Sequence, residues 1–434
     1  MSLVRGGHLI APSELAQHRQ KAWEEQSKYV SDNSPFYCRL WNGHKVPKWL
    51  EDIEELPFSD KAALRLAQGE APPFGNYLAA REETMSRIHR TSGTTGQAMN
   101  LAMSARDCEI TEAVGARAQS LAGLKPGIRV VHCLNYQMWM GGLTDHLSLE
   151  RAGATVIPFG VGSTELLIRT ILETKITAIS CTPSYPNVLE RVLREKFPSM
   201  EPSELGLKLG LFGGEPGLDD PGFRQRITDV WGMQPRNANY GVTDVFCNFA
   251  SECAHDTALH FVAHDVLYAE LIDPDSQEKK ALAPGNEGEL VLTHLSRDCQ
   301  PLVRFRTGDI IKISDTAPCA CGCTGFRFRV IGRSDDMVVV RGLNIFPTMV
   351  AAVVTSFNGL SGDYRIVLDA PPPHNILPVH VELAAGAHDD GTLAPQIEAT
   401  FKKELGATMR VKILSHGSFP QTEGKTKRVI RDYS

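Results

Sequence analysis

The sequence lacks any long hydrophobic run. Across its 434 residues, no uninterrupted apolar stretch approaches the roughly 20 residues that a membrane-spanning helix needs. The segment from Met1 to Glu14 also lacks the apolar core and the small-residue cleavage site of a signal peptide. We therefore expect a cytoplasmic protein that has no membrane partner.

An excess of positive charge is also missing. The chain has 45 Lys and Arg against 51 Asp and Glu, which gives a formal net charge of -6. Nucleic-acid-binding proteins usually show a basic excess, so we expect no nucleic acid partner. The hydrophobic fraction of 42% and the charged fraction of 22% are ordinary for a globular enzyme. The length predicts more than one domain.

Cysteine is too sparse for a disulfide scaffold. Most of the ten cysteines are isolated in apolar segments, as with Cys108, Cys133 and Cys181, which predicts buried reduced thiols. The exception is the segment Cys319-Ala320-Cys321-Gly322-Cys323, which brings several thiols close together.

Short apolar runs alternate with helical segments after about residue 125. The runs are 129–134, 154–158, 178–182 and 207–212, and the helical patterns include 164–174 and 184–196. This alternation predicts parallel β-α-β units whose sheet is covered on both faces.

The flanking segments have other patterns. Residues 11–70 have helical spacing, and residues 287–295 and 310–313 suggest an antiparallel sheet. After Gly332 the pattern predicts a strand, a helix, a strand, a helix and a last strand that ends in 411–414. We therefore predict an α/β fold. A large layered domain over residues 1–334, with mostly parallel sheets and a small β-subdomain, would precede a small mobile α+β domain over residues 335–434.

Residues 91–96 are suited to binding a polyphosphate. They are Thr91, Ser92, Gly93, Thr94, Thr95 and Gly96. The glycines let successive backbone N–H groups turn toward one anion, and the hydroxyls add donors. A strand pattern over Met85 to Arg90 predicts that this loop leaves the carboxyl edge of a sheet, where open α/β folds bind ligands. Taken alone, the run is equally well explained as a flexible linker.

Further segments carry groups that nucleotide chemistry uses. Residues 239–244, after a predicted helix, combine an aromatic ring, a glycine, a hydroxyl and the carboxylate of Asp244, which suits Mg2+. Residues 213–216 would let the backbone approach a flat ring. Asp309, after a predicted tight turn, could accept hydrogen bonds from ribose, and Lys425 could be a mobile phosphate ligand. Each segment also has a purely structural explanation. Residues 239–244 could be a surface loop, residues 213–216 a turn, the segment of Asp309 a hairpin, and that of Lys425 a solvated terminus.

Together and in this order, these segments resemble the adenylate-forming superfamily of acyl-CoA synthetases, carrier-protein adenylation domains and luciferases. The shared segments are 91–96, 240–244, 307–309, 332–336 and the terminal Gly424-Lys425. The resemblance is closer to the phenylacetate-CoA ligase family and spans essentially the whole chain. It rests on segments 34–37, 56–58, 87–89, 182–185, 214–216, 333–337 and 344–347.

The resemblance implies an ATP-dependent aryl acid:CoA ligase, an AMP-forming acid-thiol ligase. In that family a carboxylate attacks the α-phosphate of ATP, which gives an acyl-adenylate and pyrophosphate, and the CoA thiol then displaces AMP. The alternatives are an enzyme that loads an aryl acid onto a carrier protein and a non-catalytic nucleotide-sensing module. Homodimers are common among similar ligases, so a homodimer is one expected form.

The resemblance also assigns roles to residues. Thr243 would contact the α-phosphate, Lys425 would neutralise the charge that grows there, and Asp335 would be the hinge of the small domain. Asp244 would hold Mg2+, although the family usually has glutamate at this position. Arg341 and Gly342 would face the CoA passage. The implied ATP and AMP contacts are Thr91, Ser92, Gly93, Thr94, Thr95, Gly96, Gly214, Glu215, Pro216, Asn239, Tyr240, Gly241, Asp309 and Arg333.

Acid selection is expected from an acid loop over residues 135–142, together with residues 183–185. Trp139 and Met140 stand where phenylacetate ligases typically have smaller side chains. The shorter pocket favours a benzoate-type acid, such as 2-aminobenzoate (anthranilate), over an arylacetate. The expected pocket residues are Tyr136, Trp139, Met140, Gly141, Gly142 and Ser184.

The cysteine cluster resembles a metal site of many of these ligases. Cys253, His260, Cys319 and Cys321 match its ligand positions. Thiolates on a tight turn with a distant Cys and His suit tetrahedral Zn2+, and a closed set of four ligands would make the site structural. His255 and Cys323 are rival ligands, and a metal-free reduced cluster is the remaining alternative.

Overall fold

The computed structural model describes residues 12–91, 98–215, 217–341, 343–419 and 427–433. Its helices are α1 (Pro12–Asn33), α2 (Pro35–Leu40), α3 (Lys61–Glu70), α4 (Ala105–Leu121), α5 (Met140–Arg151), α6 (Thr164–Thr174), α7 (Tyr185–Lys196), α8 (Pro221–Trp231), α9 (Pro347–Thr355) and α10 (Leu393–Leu405). Short 3-10 helices lie at Leu50–Glu55, Glu82–Thr84 and Pro202–Leu205. None of the helices in these residues is long and apolar enough to span a membrane.

The strands are numbered in chain order. They are β1 (Met85–Arg90), β2 (Asn100–Ser104), β3 (Arg129–His132), β4 (Thr155–Pro158), β5 (Ala178–Cys181), β6 (Leu209–Gly213), β7 (Gln234–Val242), β8 (Phe246–Ser251), β9 (Leu259–Phe261), β10 (Leu267–Ile272), β11 (Lys279–Lys280), β12 (Glu287–His294), β13 (Phe305–Asp315), β14 (Arg327–Arg333), β15 (Val338–Val340), β16 (Leu343–Ile345), β17 (Leu360–Leu368), β18 (Leu377–Leu383), β19 (Met409–Leu414) and β20 (Val429–Arg431).

The chain divides into two compact units. The described residues of the first unit lie within 1–307 and 312–329, and those of the second lie within 308–311 and 330–434. Residues 308–311, in the middle of β13, therefore group with a segment that comes later in the chain. The domain boundary at Asp335 and the roles given to the two domains stay predictions.

A large mixed sheet organises most of the first unit. Over the described residues its strand order is β11-β10-β12-β13-β14-β9-β8-β7-β6-β5-β3-β4. Strands β4, β3, β5, β6 and β7 are parallel neighbours, whereas β7, β8 and β9 pair antiparallel. The α/β class is confirmed, and the predicted parallel units form one part of this sheet.

Helices cover both faces of the parallel strands. Because neighbouring residues of a strand point to opposite faces, Val130 and Val131 enter different cores. Val131 packs with residues of α6, α7 and α8, including Ile168, and Val130 packs with residues of α4 and α5, including Leu149. Strands buried on both faces explain the continuous apolar runs in the sequence.

Three local predictions are wrong. Strand β1 pairs antiparallel with β2 in a separate two-stranded sheet, so the loop after Arg90 does not leave the carboxyl edge of the parallel sheet. Residues 239–242 end β7 and do not follow a helix directly. Asp309 lies inside β13, where Gly308 has a φ of +77°, and no hairpin turn precedes it. In each case, a local pattern could not show which strand would pair with the segment.

The second unit contains a four-stranded sheet in the order β19-β18-β17-β20, with α9 and α10 packed on it. Strand β18 is antiparallel to β17 and parallel to β19. Its core includes Ile366, Val379, Val350 and Phe401. The predicted series of strand, helix, strand, helix and strand after Gly332 is only partly correct, because two strands precede α9, two lie between α9 and α10, and β20 follows β19. Residues 411–414 lie inside β19, as predicted.

Candidate active site

Several predicted site segments follow the parallel strands. The acid loop follows β3, residues 182–185 follow β5, Gly214 and Glu215 follow β6, and Thr243 and Asp244 follow β7. Because the carboxyl ends of parallel strands lie at one edge of a sheet, these segments meet there. Two of them are joined directly, since the Ser184 hydroxyl donates to Glu215 Oε2 at 2.7 Å.

His132, at the end of β3, holds the first turn of α5. Its Nε2–H donates to the carbonyls of Gly141 at 3.1 Å and Gly142 at 3.0 Å, and its Nδ1 accepts from the Ser180 hydroxyl at 3.0 Å. Burial lowers the pKa of His132 to about 4, so the ring stays neutral at physiological pH.

The start of the acid loop, at Asn135 and Tyr136, rests directly on the first turn of α5. A Cβ at Gly142 would lie 2.3 Å from the Asn135 carbonyl oxygen and 2.6 Å from Tyr136 Cα, so no side chain fits there. A Cβ at Gly141 would meet nothing closer than 3.7 Å. The Tyr136 hydroxyl is hydrogen-bonded to His146 Nδ1 at 2.9 Å, which fixes the ring expected to border the acid.

The two bulky residues expected to shorten the pocket lie in this loop. Trp139 is the N-cap residue of α5 and is half-buried. Met140 is buried in a small cluster with Met103 and Cys108. The structure therefore places Trp139 nearer the surface and Met140 within the core at the start of α5.

Thr91 closes the base of the predicted phosphate loop. Its backbone N–H donates to the Met99 carbonyl at 2.9 Å, and its Oγ1 accepts from the Met99 N–H at 3.0 Å. The buried Thr91 hydroxyl thus has a structural partner. The other predicted members of the loop, Ser92, Gly93, Thr94, Thr95 and Gly96, lie outside the described residues.

The strand before the phosphate loop is bound to the acid loop and to α5. The Arg90 N–H donates to the Met138 carbonyl at 2.8 Å. His89 donates from Nδ1 to the same carbonyl at 3.2 Å and accepts at Nε2 from the Thr144 hydroxyl at 3.3 Å. Burial lowers the pKa of His89 to about 4, which keeps this ring neutral as well.

The predicted nucleotide segment is packed by aromatic rings and by a close approach of strands. The half-buried Tyr240 ring lies edge-on to Phe249 at 5.2 Å and to Phe328 at 5.3 Å. A Cβ at Gly241 would lie 1.8 Å from the Cys247 carbonyl oxygen, so only glycine lets β7 approach β8 here. Gly214 has a φ of +82°, and Pro216 lies outside the described residues.

Lys61 is a site residue that the sequence analysis missed. Its Nζ lies 2.8 Å from Oδ2 of Asp244, which is 6% exposed. Within the described residues, Asp244 Oδ1 has no hydrogen-bond partner. The ion pair places a cation beside the carboxylate expected to hold Mg2+. No local pattern could have revealed it, because 183 positions separate the two residues.

In the second unit, three predicted residues form one ion cluster. Arg333 Nη1 donates to Asp309 Oδ1 at 2.7 Å, and Arg333 Nε donates to Asp335 Oδ1 at 2.8 Å. Asp309 is buried, and Arg341 is exposed at the end of β15. Gly342 and Lys425 lie outside the described residues.

The predicted zinc ligands are assembled in the first unit. The donor atoms of Cys253, His260, Cys319 and Cys321 lie within 4.8 Å of one another. Cys253 Sγ and Cys319 Sγ are 3.8 Å apart. His260 Nδ1 donates to the Ala258 carbonyl at 3.0 Å, and its buried Nε2 has no hydrogen-bond partner among the residues that the structure describes. Backbone N–H groups donate to the Sγ atoms of Cys253 and Cys321.

Comparisons with known proteins identify the class. Residues 15–295 match the AMP-binding enzyme family, and residues 342–432 match the AMP-binding enzyme C-terminal domain. The chain is 32% identical to a phenylacetate-coenzyme A ligase of Thermus thermophilus over 426 residues, which covers 93% of each chain. It is 30% identical to that of Escherichia coli, over 93% of this chain and 91% of the relative.

A solved structure supports the same class. The crystal structure of a 2-hydroxyisobutyryl-CoA ligase with 2-HIB-AMP, in the postadenylation state, has a TM-score of 0.87 and 27% sequence identity, and the match covers 98% of this chain and 90% of that chain. Another structure of that ligase, with 2-HIB-AMP and CoA, has a TM-score of 0.69 and 28% identity and covers 98% and 91%.

The fold and these matches define an ATP-dependent, AMP-forming acid-CoA ligase that works through an acyl-adenylate. The chain belongs to the AMP-binding enzyme family and, within it, to the phenylacetate-CoA ligase family.

Gly142→Ala tests whether the acid loop must contact α5. The added methyl would collide with the backbone at residues 135 and 136, so we expect the KM for the acid to rise about tenfold or more, as for an overpacked site. Gly69→Ala, on α3 and outside the proposed site segments, is the control and should stay within about twofold of the parent enzyme, because a Cβ there would meet nothing within 4 Å. Steady-state pyrophosphate release with varied acid measures both. Equal KM values for the two variants would contradict the expectation.

Proposed function

We propose that the carboxylic acid is an aryl acid, of benzoate type such as 2-aminobenzoate or, failing that, an arylacetate. The observation that carries this proposal is the 30–32% identity, over more than nine-tenths of the chain, to ligases named for phenylacetate. The aromatic side chains of Tyr136 and Trp139 on the acid loop support it, since stacked or edge-on rings favour an aryl substrate.

The benzoate preference rests on the size of the residues beside the pocket. Trp139 and Met140 together bring more volume to the start of α5 than small residues would. Because Met140 is enclosed by Met103 and Cys108, it has little room to move away from a longer acid. A carboxyl group attached directly to a ring needs less depth than one attached through a methylene.

We propose that adenylate formation depends on hydrogen-bond donors and a positive charge placed beside the negatively charged α-phosphate. A carboxylate oxygen attacks the α-phosphorus, pyrophosphate leaves with the electrons of the broken P–O bond, and the CoA thiolate then attacks the acyl carbon and releases AMP. We propose that Thr243 and Lys425 contact the α-phosphate, which gains charge in the transition state. Tyr240, Gly214 and Glu215 would border the adenine, and Asp309 would accept from the ribose.

We assign Mg2+ to Asp244. The buried carboxylate oxygen that lacks a protein partner among the described residues fits a hard cation, which prefers oxygen ligands. When bound, Mg2+ would screen the phosphate charges. Lys61 would share the other oxygen, so the protein supplies its own cation next to this carboxylate.

An acid panel tests the proposed substrate. Acid-dependent pyrophosphate release should be fastest with benzoates, slower with phenylacetate and slowest with fatty acids. AMP release should require CoA and should need no carrier protein, because the similarity to CoA ligases covers nearly the whole chain. Faster turnover with phenylacetate than with any benzoate would contradict the benzoate assignment. A preference for fatty acids would reject an aryl substrate altogether.

We propose further that Cys253, His260, Cys319 and Cys321 hold a structural Zn2+. At a Zn–S distance of about 2.3 Å, two thiolates of a tetrahedral site lie about 3.8 Å apart, and Cys253 and Cys319 have this spacing. The hydrogen bond at Nδ1 orients the His260 ring and leaves Nε2 toward the other donors, as outer partners of metal ligands do. Cys323 and His255 are outside this set of four.

Metal analysis of purified variants tests the zinc site. The parent enzyme should contain about one zinc per chain, and Cys319→Ser should lose it, because structural zinc needs four protein ligands. Cys323→Ser changes a neighbouring buried thiol and should keep the metal. Zinc-free parent enzyme that takes up none on incubation would reject the site, and loss of zinc from Cys323→Ser alone would assign the fourth ligand to Cys323.

A further inference from the structure

A buried carboxyl group on α5 lies next to the acid loop. Asp145 is fully buried, and a Cβ built at Gly141 would lie 3.7 Å from its Oδ2. Burial raises the pKa of Asp145 to about 7, and hydrogen bonds from Cys247 and Asn239 limit the rise. A carboxyl group in such a place destabilises a fold unless its hydrogen bonds compensate, so its partners show what it holds together.

Both partners of Asp145 lie on the strands that frame the nucleotide segment. The side-chain amide of Asn239, on β7, donates to Oδ2, and the Cys247 thiol, on β8, donates to Oδ1 at 3.2 Å. Asn239 immediately precedes Tyr240, and Thr243 and Asp244 lie in the connection between the two strands. Asp145 thus bridges the helix that carries Gly141 and Gly142 to the strand that carries the proposed adenine contact.

The neighbouring position on α5 makes a second connection of the same kind. Thr144 donates to His89, which lies two positions before the predicted phosphate loop. The first two turns of α5 are therefore hydrogen-bonded to the strand before the predicted phosphate loop and to the strand that carries Tyr240.

We propose that Asp145 is a positioning residue for adenylate formation, which holds the acid loop in register with the nucleotide strand through Asn239. The inference rests on one part of the proposed function, the location of the acid pocket. It does not depend on the acid being an aryl acid. The distance between the acid carboxylate and the α-phosphate must be fixed to a fraction of an ångström for efficient attack. A direct hydrogen bond between the two supporting elements provides that constraint.

A buried carboxylate that only stabilises the fold should affect the melting temperature and not the KM for the acid. Asp107 is such a carboxylate. Asp107, on α4, is also buried and accepts from the backbone N–H groups of Ser104, Asp298 and Cys299. None of these partners belongs to the proposed acid or nucleotide segments. Asp107→Asn is therefore a matched control for removing a buried charge.

The test reverses the polarity of the Asp145–Asn239 pair. At about pH 8.5, above the raised pKa of Asp145, Asp145→Asn replaces a charge-assisted hydrogen bond with a weaker amide pair and should raise the KM for the acid about tenfold. Asn239→Asp brings two carboxylates together and should do more damage. The double variant restores one donor and one acceptor, so its KM for the acid should fall at least about threefold below that of either single variant. Asp107→Asn should lower the melting temperature and leave the KM within about twofold.

The measurement is acid-dependent pyrophosphate exchange on variants whose folding is checked by circular dichroism, with whichever acid the parent enzyme uses fastest. Failure of the aryl assignment would appear in the parent enzyme's choice of acid and would leave this comparison intact. A folded Asp145→Asn with an unchanged KM would overturn the proposal. A folded double variant whose KM stays about tenfold raised would overturn it as well, even if a single variant does not fold.

Discussion

The candidate site depends on how the first two turns of α5 are held in place. Parallel strands bring the acid loop, Ser184, Glu215 and Tyr240 to one edge of the sheet, but strand pairing fixes only their backbones. The helix is fixed separately by buried polar contacts: from His132 to the carbonyls of its first turn, from His89 to Thr144, and from Asp145 to Asn239. These contacts relate the acid loop to the segments around it.

The contacts are effective because they are buried and because their charge states are controlled. His89 and His132 stay neutral, since burial lowers the pKa of each to about 4, and each ring then has one donor nitrogen and one acceptor nitrogen for its hydrogen bonds. Asp145 accepts from two donors in a place from which water is excluded, where hydrogen bonds are stronger than at the surface. A small change in any of them would shift the acid loop, because close-packed interiors transmit displacement.

The architecture could be predicted from the sequence where the same pattern recurs several times along the chain. Apolar runs such as 129–134 and 178–182 became neighbouring parallel strands, and the ordered motifs indicated the family. Pairing between distant segments could not be predicted, so β1 was assigned to the wrong kind of sheet, and Asp309 was placed after a turn. Lys61 and Asp145 were missed for the same reason, since a lone Lys on a helix and an Asp within an apolar helix carry no local signal. The roles of residues 92–96 and of Lys425 stay predictions, because these residues lie outside the described part of the chain.

The central claim is that one edge of the parallel sheet receives a single acyl-adenylate, with its acyl group on the α5 side and its adenine beside β6 and β7. A crystal structure with an unreactive aryl sulfamoyl adenosine would test it most directly. We expect the aryl ring to contact Tyr136 and Gly142, and the adenine to contact Gly214 and Tyr240. An adenine bound away from β6 and β7, or an acyl group that does not touch the acid loop, would contradict the account.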